Sequence, residues 1–86
     1  MAKVEIYTTP WCGYCARAKA LLERKGVAYQ EIDVNSTPDS REQMIERAGG
    51  RRTVPQIFVE GRYVGDSDEI IALDRAGKLD PLLNPA

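Results

Sequence analysis

The first third of the chain predicts a strand, a helix and a second strand in succession. Residues 3–7 alternate between polar and apolar side chains, residues 13–25 are rich in strong helix formers, and residues 28–33 form a second strand-like run. In such a β-α-β unit the helix carries the chain back over the sheet, so its two strands lie parallel. This start therefore predicts an α/β fold.

The middle of the chain predicts a second helix. Ser36 and Thr37 are candidates for its N-cap, and Pro38 suits a first-turn position, where its missing N–H costs nothing. The pattern continues to about Ala48, and the glycines at 49–50 end it.

The last third predicts a hairpin followed by a helix. Residues 56–59 are typical of a buried strand, and a tight turn leads from them into residues 62–64. Asp66 and Glu69 have the spacing of a capping box at the start of a helix that ends near Gly77. We expect the tail, residues 80–86, to be irregular, with Leu82 and Leu83 packing back. The predicted order is β-α-β-α-β-β-α, with a four-stranded mixed sheet flanked by helices.

Length and composition predict one domain over residues 1–86 and exclude several classes of protein. With 86 residues, 43% hydrophobic content and a formal net charge of -1, the chain shows no basic stripe, so we expect neither nucleic acid nor a membrane surface as a partner. No apolar run approaches the roughly 18 residues that span a bilayer. An acid at Glu5 stands where a signal peptide would be apolar. The expected location is cytoplasmic.

The chain contains no histidine and two cysteines, Cys12 and Cys15. Ser-His-Asp and Cys-His catalysis are thereby excluded. The two cysteines are three residues apart on one helical face, which puts their Cβ atoms roughly 5–6 Å apart, a separation that a disulfide tolerates. A disulfide that closes so short a loop removes little conformational entropy from the unfolded chain and therefore stabilises the fold little. Reversible redox chemistry explains the pair better than a structural cross-link.

The position of Cys12 at the predicted helix start favours its thiolate. The N–H groups and macrodipole at a helix N-terminus stabilise an anion by up to about 2 kcal/mol, which would lower a thiol pKa from about 8.5 to about 7. Cys15 lies one turn inside the helix and should be less exposed and less acidic. Two alternatives remain at this point: ordinary buried cysteines, or a metal or cluster shared between two chains, since one chain offers too few ligands for a closed zinc site.

Three segments in this order resemble the glutaredoxin family. They are residues 4–8 leading into Cys12-Gly13-Tyr14-Cys15, residues 53–58, and residues 64–68. Residues 72–83 are similar to those of the small bacterial class called glutaredoxin three. The resemblance implies a thioredoxin-like fold and glutathione-dependent reduction of protein disulfides and glutathione mixed disulfides. Glutathione would be the electron donor, and the partners would be disulfide-containing or glutathionylated proteins.

The resemblance also implies roles for particular residues. Cys12 would be the nucleophile and Cys15 the resolving thiol. Arg51 and Arg52 either hold the glycyl carboxylate or form a solvated pair, and of the two we expect Arg52 to take part. Pro55 matches the cis-proline of the family. The implied glutathione-binding residues are Tyr14, Arg52, Thr53, Val54, Pro55, Ser67 and Asp68.

Three positions depart from the usual family pattern. The commonest active site of the family has proline after the first cysteine, and this chain has Gly13 there. Some similar proteins with glycine at this position bind a [2Fe-2S] cluster through thiolates equivalent to Cys12 from two chains. Thr9 stands where a lysine is frequent, and Asp66 replaces the second glycine of a Gly-Gly pair, bringing a negative charge near the γ-glutamyl carboxylate. The resemblance thus implies an enzyme, expected as a monomer, with a cluster-carrying dimer or a redoxin reduced by thioredoxin reductase as alternatives.

Overall fold

The computed structural model describes residues 2–84, which form one four-stranded sheet and four helices. The elements are β1 (Val4–Thr8), α1 (Gly13–Arg24), β2 (Tyr29–Asp33), α2 (Pro38–Arg47), β3 (Gln56–Val59), β4 (Arg62–Gly65), α3 (Ser67–Arg75) and α4 (Leu79–Leu83). The sheet order is β2-β1-β3-β4, with β1 parallel to β2 and the β1–β3 and β3–β4 pairs antiparallel. The predicted mixed sheet flanked by helices is confirmed.

The two central strands are buried on both faces, and their side chains divide between two hydrophobic clusters. Alternate residues of a strand point to opposite faces, so Ile6 and Ile57 pack against α1, α3 and α4, while Tyr7 and Phe58 pack against α2. Burial on both faces explains why β3 is continuously apolar after its first residue. Even that residue, Gln56, is fully buried.

The C-terminal tail differs from the prediction. Residues 79–83 form a short helix, α4, where we expected irregular chain. Pro81 is its third residue, a position at which a helix leaves the backbone N–H without an intrahelical partner, so the proline is tolerated. Leu83 packs into the core as expected, but Leu82 is 42% exposed and does not. Residues 85 and 86 lie outside the described residues.

The strand register brings three separate segments to one end of the sheet. Tyr7, near the end of β1, pairs with Gln56 at the start of β3, and Gly65 at the end of β4 pairs with Ile57. The loop after β1, the loop before β3 and the start of α3 therefore meet at this end. Among residues 2–84, no helix has the length and apolar character needed to cross a bilayer.

Gly65 joins β4 to α3 in a conformation that leaves no space for a side chain. Its φ is +141°, and a Cβ built on it would lie 2.7 Å from the Cβ of Glu69. The Glu69 side chain thus lies directly over this glycine, where it accepts a hydrogen bond from the backbone N–H of Asp66.

We predict that Gly65→Ala destabilises the protein by about 2–3 kcal/mol, because backbone strain and displacement of Glu69 add together. Gly61→Ala is the matched control, since Gly61 also has a positive φ, +78°, but faces open space. That change should cost only about 1–2 kcal/mol. Urea denaturation of both variants measures the difference, and equal losses would contradict the steric part of the prediction.

Candidate active site

Cys12 is the N-cap of α1, and its sulfur performs the capping. Its backbone is extended, with φ -101° and ψ 116°, and the backbone N–H of Cys15 donates a hydrogen bond to Cys12 Sγ at 3.4 Å. The preceding residue, Trp11, turns the chain with a φ of +64° and is fully exposed. Cys12 is half-buried, Cys15 is buried, and both are free thiols.

The surroundings of Cys12 favour its thiolate. Partial burial raises the pKa of the Cys12 thiol, but hydrogen bonds from the N–H and thiol of Cys15, the N–H of Tyr14 and the hydroxyl of Thr9 outweigh burial and hold the pKa below its ordinary value. The expected direction of the shift is confirmed. Its cause lies in hydrogen bonding at the helix start, where the N–H of Cys15 lies 3.4 Å from Cys12 Sγ.

Cys15 has the opposite character. Burial raises the pKa of its thiol to about 11, and the neighbouring Cys12 adds to the rise through a hydrogen bond and its charge. Lys19 and the backbone of Thr9 act in the other direction but do not cancel it. At neutral pH Cys15 is therefore a protonated thiol that can donate a hydrogen bond to the Cys12 thiolate. The expectation that Cys15 is less exposed and less acidic than Cys12 is confirmed.

A pocket of about 220 Å³ lies beside the cysteines, where the three segments meet. It brings together six of the seven residues that the resemblance implied for glutathione. Arg52 is the seventh; its exposed side chain does not line the pocket, while its carbonyl accepts a hydrogen bond from Arg41 at 3.0 Å. The lining residues are Tyr14, Thr53, Val54, Pro55, Asp66, Ser67 and Asp68.

One wall of this pocket is the segment before β3. The Val54–Pro55 peptide bond is cis, in agreement with the family pattern. The buried side chain of Gln56 donates hydrogen bonds to the carbonyl of Thr53 at 2.9 Å and to its hydroxyl at 3.1 Å. Gln56 in turn accepts a hydrogen bond from the hydroxyl of Tyr63. A buried side chain thus holds the exposed wall in place.

The opposite wall is the start of α3. Asp66 is the N-cap, and its carboxylate accepts a hydrogen bond from the N–H of Glu69, which completes the predicted capping box. Helix geometry leaves the N–H groups of Ser67 and Asp68 without intrahelical acceptors. The Ser67 hydroxyl is buried, and within the described residues it has no hydrogen-bond partner. This wall can therefore accept an anion.

A larger and more open groove of about 570 Å³ has Cys12 in its lining. Across it, Lys19 forms an ion pair with Glu31 at 3.0 Å, and Glu31 also accepts a hydrogen bond from the Thr8 hydroxyl at 2.8 Å. The residues along this groove include Trp11. Cys12 is thus reachable from a side that the 220 Å³ pocket does not occupy.

Two side chains near the site have contacts that the sequence did not predict. Thr9 stands where the family often has a lysine, yet its hydroxyl contributes to lowering the Cys12 pKa. For Arg51 the sequence predicts either a ligand of the glycyl carboxylate or a solvated surface residue, yet it forms ion pairs with Asp66, at 2.8 Å, and with Glu69. No local sequence pattern indicates the ion pairs of Arg51, since Asp66 and Glu69 lie 15 and 18 positions after it in the chain.

Comparison with known proteins agrees with this geometry. The sequence model of the glutaredoxin family matches residues 4–64. The chain belongs to the glutaredoxin family. Glutaredoxin 3 of Escherichia coli is 54% identical over 83 residues, which cover 96% of this chain and 99% of that protein. Family and fold together make the chain a thiol–disulfide oxidoreductase.

Two solved glutaredoxin structures show the same fold. The solution structure of the Brucella melitensis glutaredoxin is 55% identical, with a TM-score of 0.84, and the match covers 96% of this chain and 89% of that one. A crystal structure of a buckwheat glutaredoxin–glutathione complex is 32% identical, with a TM-score of 0.85, covering 95% and 76%. The thioredoxin-like α/β fold predicted for the chain is confirmed.

We predict that the two thiols separate clearly in an alkylation series across pH. In a Cys15→Ser variant, Cys12 should react with iodoacetamide with a midpoint below the ordinary thiol value, because hydrogen bonds stabilise its thiolate. In a Cys12→Ser variant, Cys15 should react only at strongly alkaline pH, because it is buried. Equal midpoints for the two thiols would contradict the assignment of Cys12 as the nucleophile.

Proposed function

We propose that this glutaredoxin is a glutathione-dependent oxidoreductase that reduces protein disulfides and glutathione mixed disulfides through Cys12 and Cys15. The observation that carries the proposal is the 220 Å³ pocket, which starts at Tyr14, two residues from the low-pKa thiol, and ends at the anion-accepting start of α3. A tripeptide with its thiol at Cys12 would lie along this path. The proposed setting is the cytoplasm, where the glutathione pool keeps thiols reduced.

One wall of the pocket suits the peptide backbone of glutathione, and the other suits its charged γ-glutamyl end. The exposed backbone at Thr53 and Val54 can pair with the tripeptide as an added strand would. At the other wall, the N–H groups of Ser67 and Asp68 suit the γ-glutamyl carboxylate, and the Asp68 carboxylate suits the ammonium group. Arg52, next to Thr53 but outside the lining, is proposed for the glycyl carboxylate at the rim.

The proposed reaction on a glutathione mixed disulfide has two displacements. The Cys12 thiolate attacks the glutathione sulfur, the old S–S bond breaks, and the substrate leaves as a thiolate that takes a proton from water. A second glutathione thiolate then attacks the glutathione sulfur bound to Cys12, which releases glutathione disulfide and restores the Cys12 thiolate. The low pKa of Cys12 assists this second step, because a more stable thiolate is a better leaving group.

The dithiol route begins when Cys12 attacks a protein disulfide. The Cys15 sulfur then attacks Cys12, which releases the reduced protein and leaves a Cys12–Cys15 disulfide for two glutathione molecules to reduce. The negative charge of Cys12 disappears when it enters the mixed disulfide, so that part of the rise in the Cys15 pKa disappears with it. Cys15 thereby becomes easier to deprotonate at the step in which it must react.

We predict that Cys12→Ser reduces glutathione-dependent turnover of a small mixed disulfide to the uncatalysed rate. Cys15→Ser should retain most of this turnover, because glutathione replaces the resolving thiol, but should lose most of its activity on a protein disulfide. The measurement is a coupled assay with glutathione reductase, run on both substrates. Wild-type turnover that does not depend on glutathione, or a fully active Cys12→Ser variant, would refute the proposal.

Ser67→Ala tests the anion-accepting wall. Since the Ser67 hydroxyl has no partner within residues 2–84, its removal should leave the free energy of unfolding within about 0.5 kcal/mol of the wild-type value. If the Ser67 hydroxyl adds a hydrogen bond to those that the N–H groups of Ser67 and Asp68 give the γ-glutamyl carboxylate, it supplies about 1.5 kcal/mol, so KM for the mixed disulfide should rise roughly tenfold on its removal.

The control for Ser67 is Ser40, a serine that is also buried but has a partner. Its hydroxyl lies 2.7 Å from that of Thr37, far along the chain from the pocket residues. Ser40→Ala should therefore cost about 1 kcal/mol of stability and leave KM unchanged. An unchanged KM in Ser67→Ala would show that the Ser67 hydroxyl takes no part in binding the carboxylate, and would leave the two N–H groups as its ligands.

The two alternatives have separate tests. A [2Fe-2S] cluster would need thiolates from two chains, since within the described residues no group of three metal-ligating side chains is present and only Cys12 is accessible. Anaerobic reconstitution with glutathione would then give a coloured dimer, whereas the expected enzyme is a monomer. A redoxin reduced by thioredoxin reductase would turn over with that donor in the absence of glutathione.

A further inference from the structure

Asp66 places an unusual negative charge in the lining of the glutathione pocket. It is the N-cap of α3, directly before the two N–H groups that we assign to the γ-glutamyl carboxylate. Glutathione carries two carboxylates and one ammonium group at neutral pH, so its net charge is -1. An uncompensated carboxylate at this position would repel it.

Arg51 is the cation that contacts this carboxylate. Its Nη2 lies 2.8 Å from Asp66 Oδ2, while its Nη1 pairs with Glu69 Oε1 and donates a hydrogen bond to the Tyr63 hydroxyl at 2.6 Å. The guanidinium thus holds both acids of the capping box. The charges of Arg51, Asp66 and Glu69 sum to -1, and they would sum to -2 without the arginine.

The pairing also leaves the helix start open to a ligand. Asp66 directs one oxygen to the N–H of Glu69 and the other to Arg51. Neither bond uses the N–H groups of Ser67 and Asp68, which remain the anion-accepting groups of this wall. Arg51 itself is absent from the pocket lining, so it acts on the charge of the pocket without contacting its contents.

We propose that Arg51 is a positioning residue for glutathione: by neutralising Asp66, it allows the start of α3 to accept the γ-glutamyl carboxylate despite the charged N-cap. This assignment rests on the proposed glutathione function. It differs from both alternatives that the sequence left for Arg51, a ligand of the glycyl carboxylate and a solvated surface residue.

A charge-restoring double variant tests the proposal. Arg51→Gln leaves the pocket side of α3 more negative, so KM for a glutathione mixed disulfide should rise about fivefold to tenfold while kcat changes less than about twofold. Asp66→Asn keeps the cap, because asparagine caps as well as aspartate, and removes the charge. The Arg51→Gln/Asp66→Asn protein has the net charge of the wild-type trio, and its KM should return to within about twofold of wild type.

Rescue separates the charge effect from a structural one. Arg51→Gln also removes the hydrogen bond to Tyr63, which leads through Gln56 to Thr53, and the double variant still lacks that bond. Rescue by Asp66→Asn therefore points to charge alone. Salt at about 0.5 M should also narrow the gap between Arg51→Gln and wild type, because screening weakens repulsion between exposed groups.

Arg24→Gln is the charge-matched control, since Arg24 is exposed at the far end of α1 and its removal should leave KM unchanged. The proposal is overturned if Arg51→Gln has the wild-type KM, or if the double variant is as impaired as Arg51→Gln. The second result would indicate direct contact with the ligand or a purely structural role. If wild-type protein shows no saturable turnover of the mixed disulfide, the proposed function itself has failed, which is a different outcome.

Discussion

Burial of both faces of β1 and β3 is the constraint on which the rest of the structure depends. Because these strands pair in antiparallel order, the end of β1 lies beside the start of β3, and the loops at that end are forced together. One loop carries Cys12, and the other carries the Val54–Pro55 peptide. The hairpin into β4 returns the chain to the same end, so α3 starts there too. The site is therefore a consequence of strand order.

Two helix starts supply the electrostatics of the site, and they are used differently. At α1 the cap is the reactive sulfur itself, so the backbone N–H of Cys15 stabilises the thiolate. At α3 the cap is a carboxylate that occupies the N–H of Glu69 and leaves the first two N–H groups available. The same backbone geometry thus activates a nucleophile at one helix and offers an anion site at the other.

Most elements of the fold can be predicted from the sequence, and the features that cannot be predicted have physical causes. Alternation, an apolar run, helix formers and capping residues predict the strands and the first three helices, because those patterns arise from local geometry. The resemblance to glutaredoxins implied the cis bond before Pro55, which local propensity does not show. Helix α4 was missed because Pro81 favours irregular chain, although its third-position placement costs no hydrogen bond. The partners of Arg51 were missed because only the tertiary fold brings them together.

Because Cys12 caps α1 with its sulfur, the stability of this helix is linked to the reduction potential of the Cys12–Cys15 pair. Whatever stabilises the thiolate at Cys12 stabilises the reduced state, and a thiol pair with a stabilised reduced form is a stronger oxidant. The hydrogen bond from the N–H of Cys15 to Cys12 Sγ therefore shifts the midpoint potential toward more positive values. Forming the Cys12–Cys15 bond converts the anionic cap into a neutral one, and the first turn of α1 loses that part of its stabilisation. The equilibrium between the reduced and the oxidised protein is thus coupled to the stability of the first turn of α1.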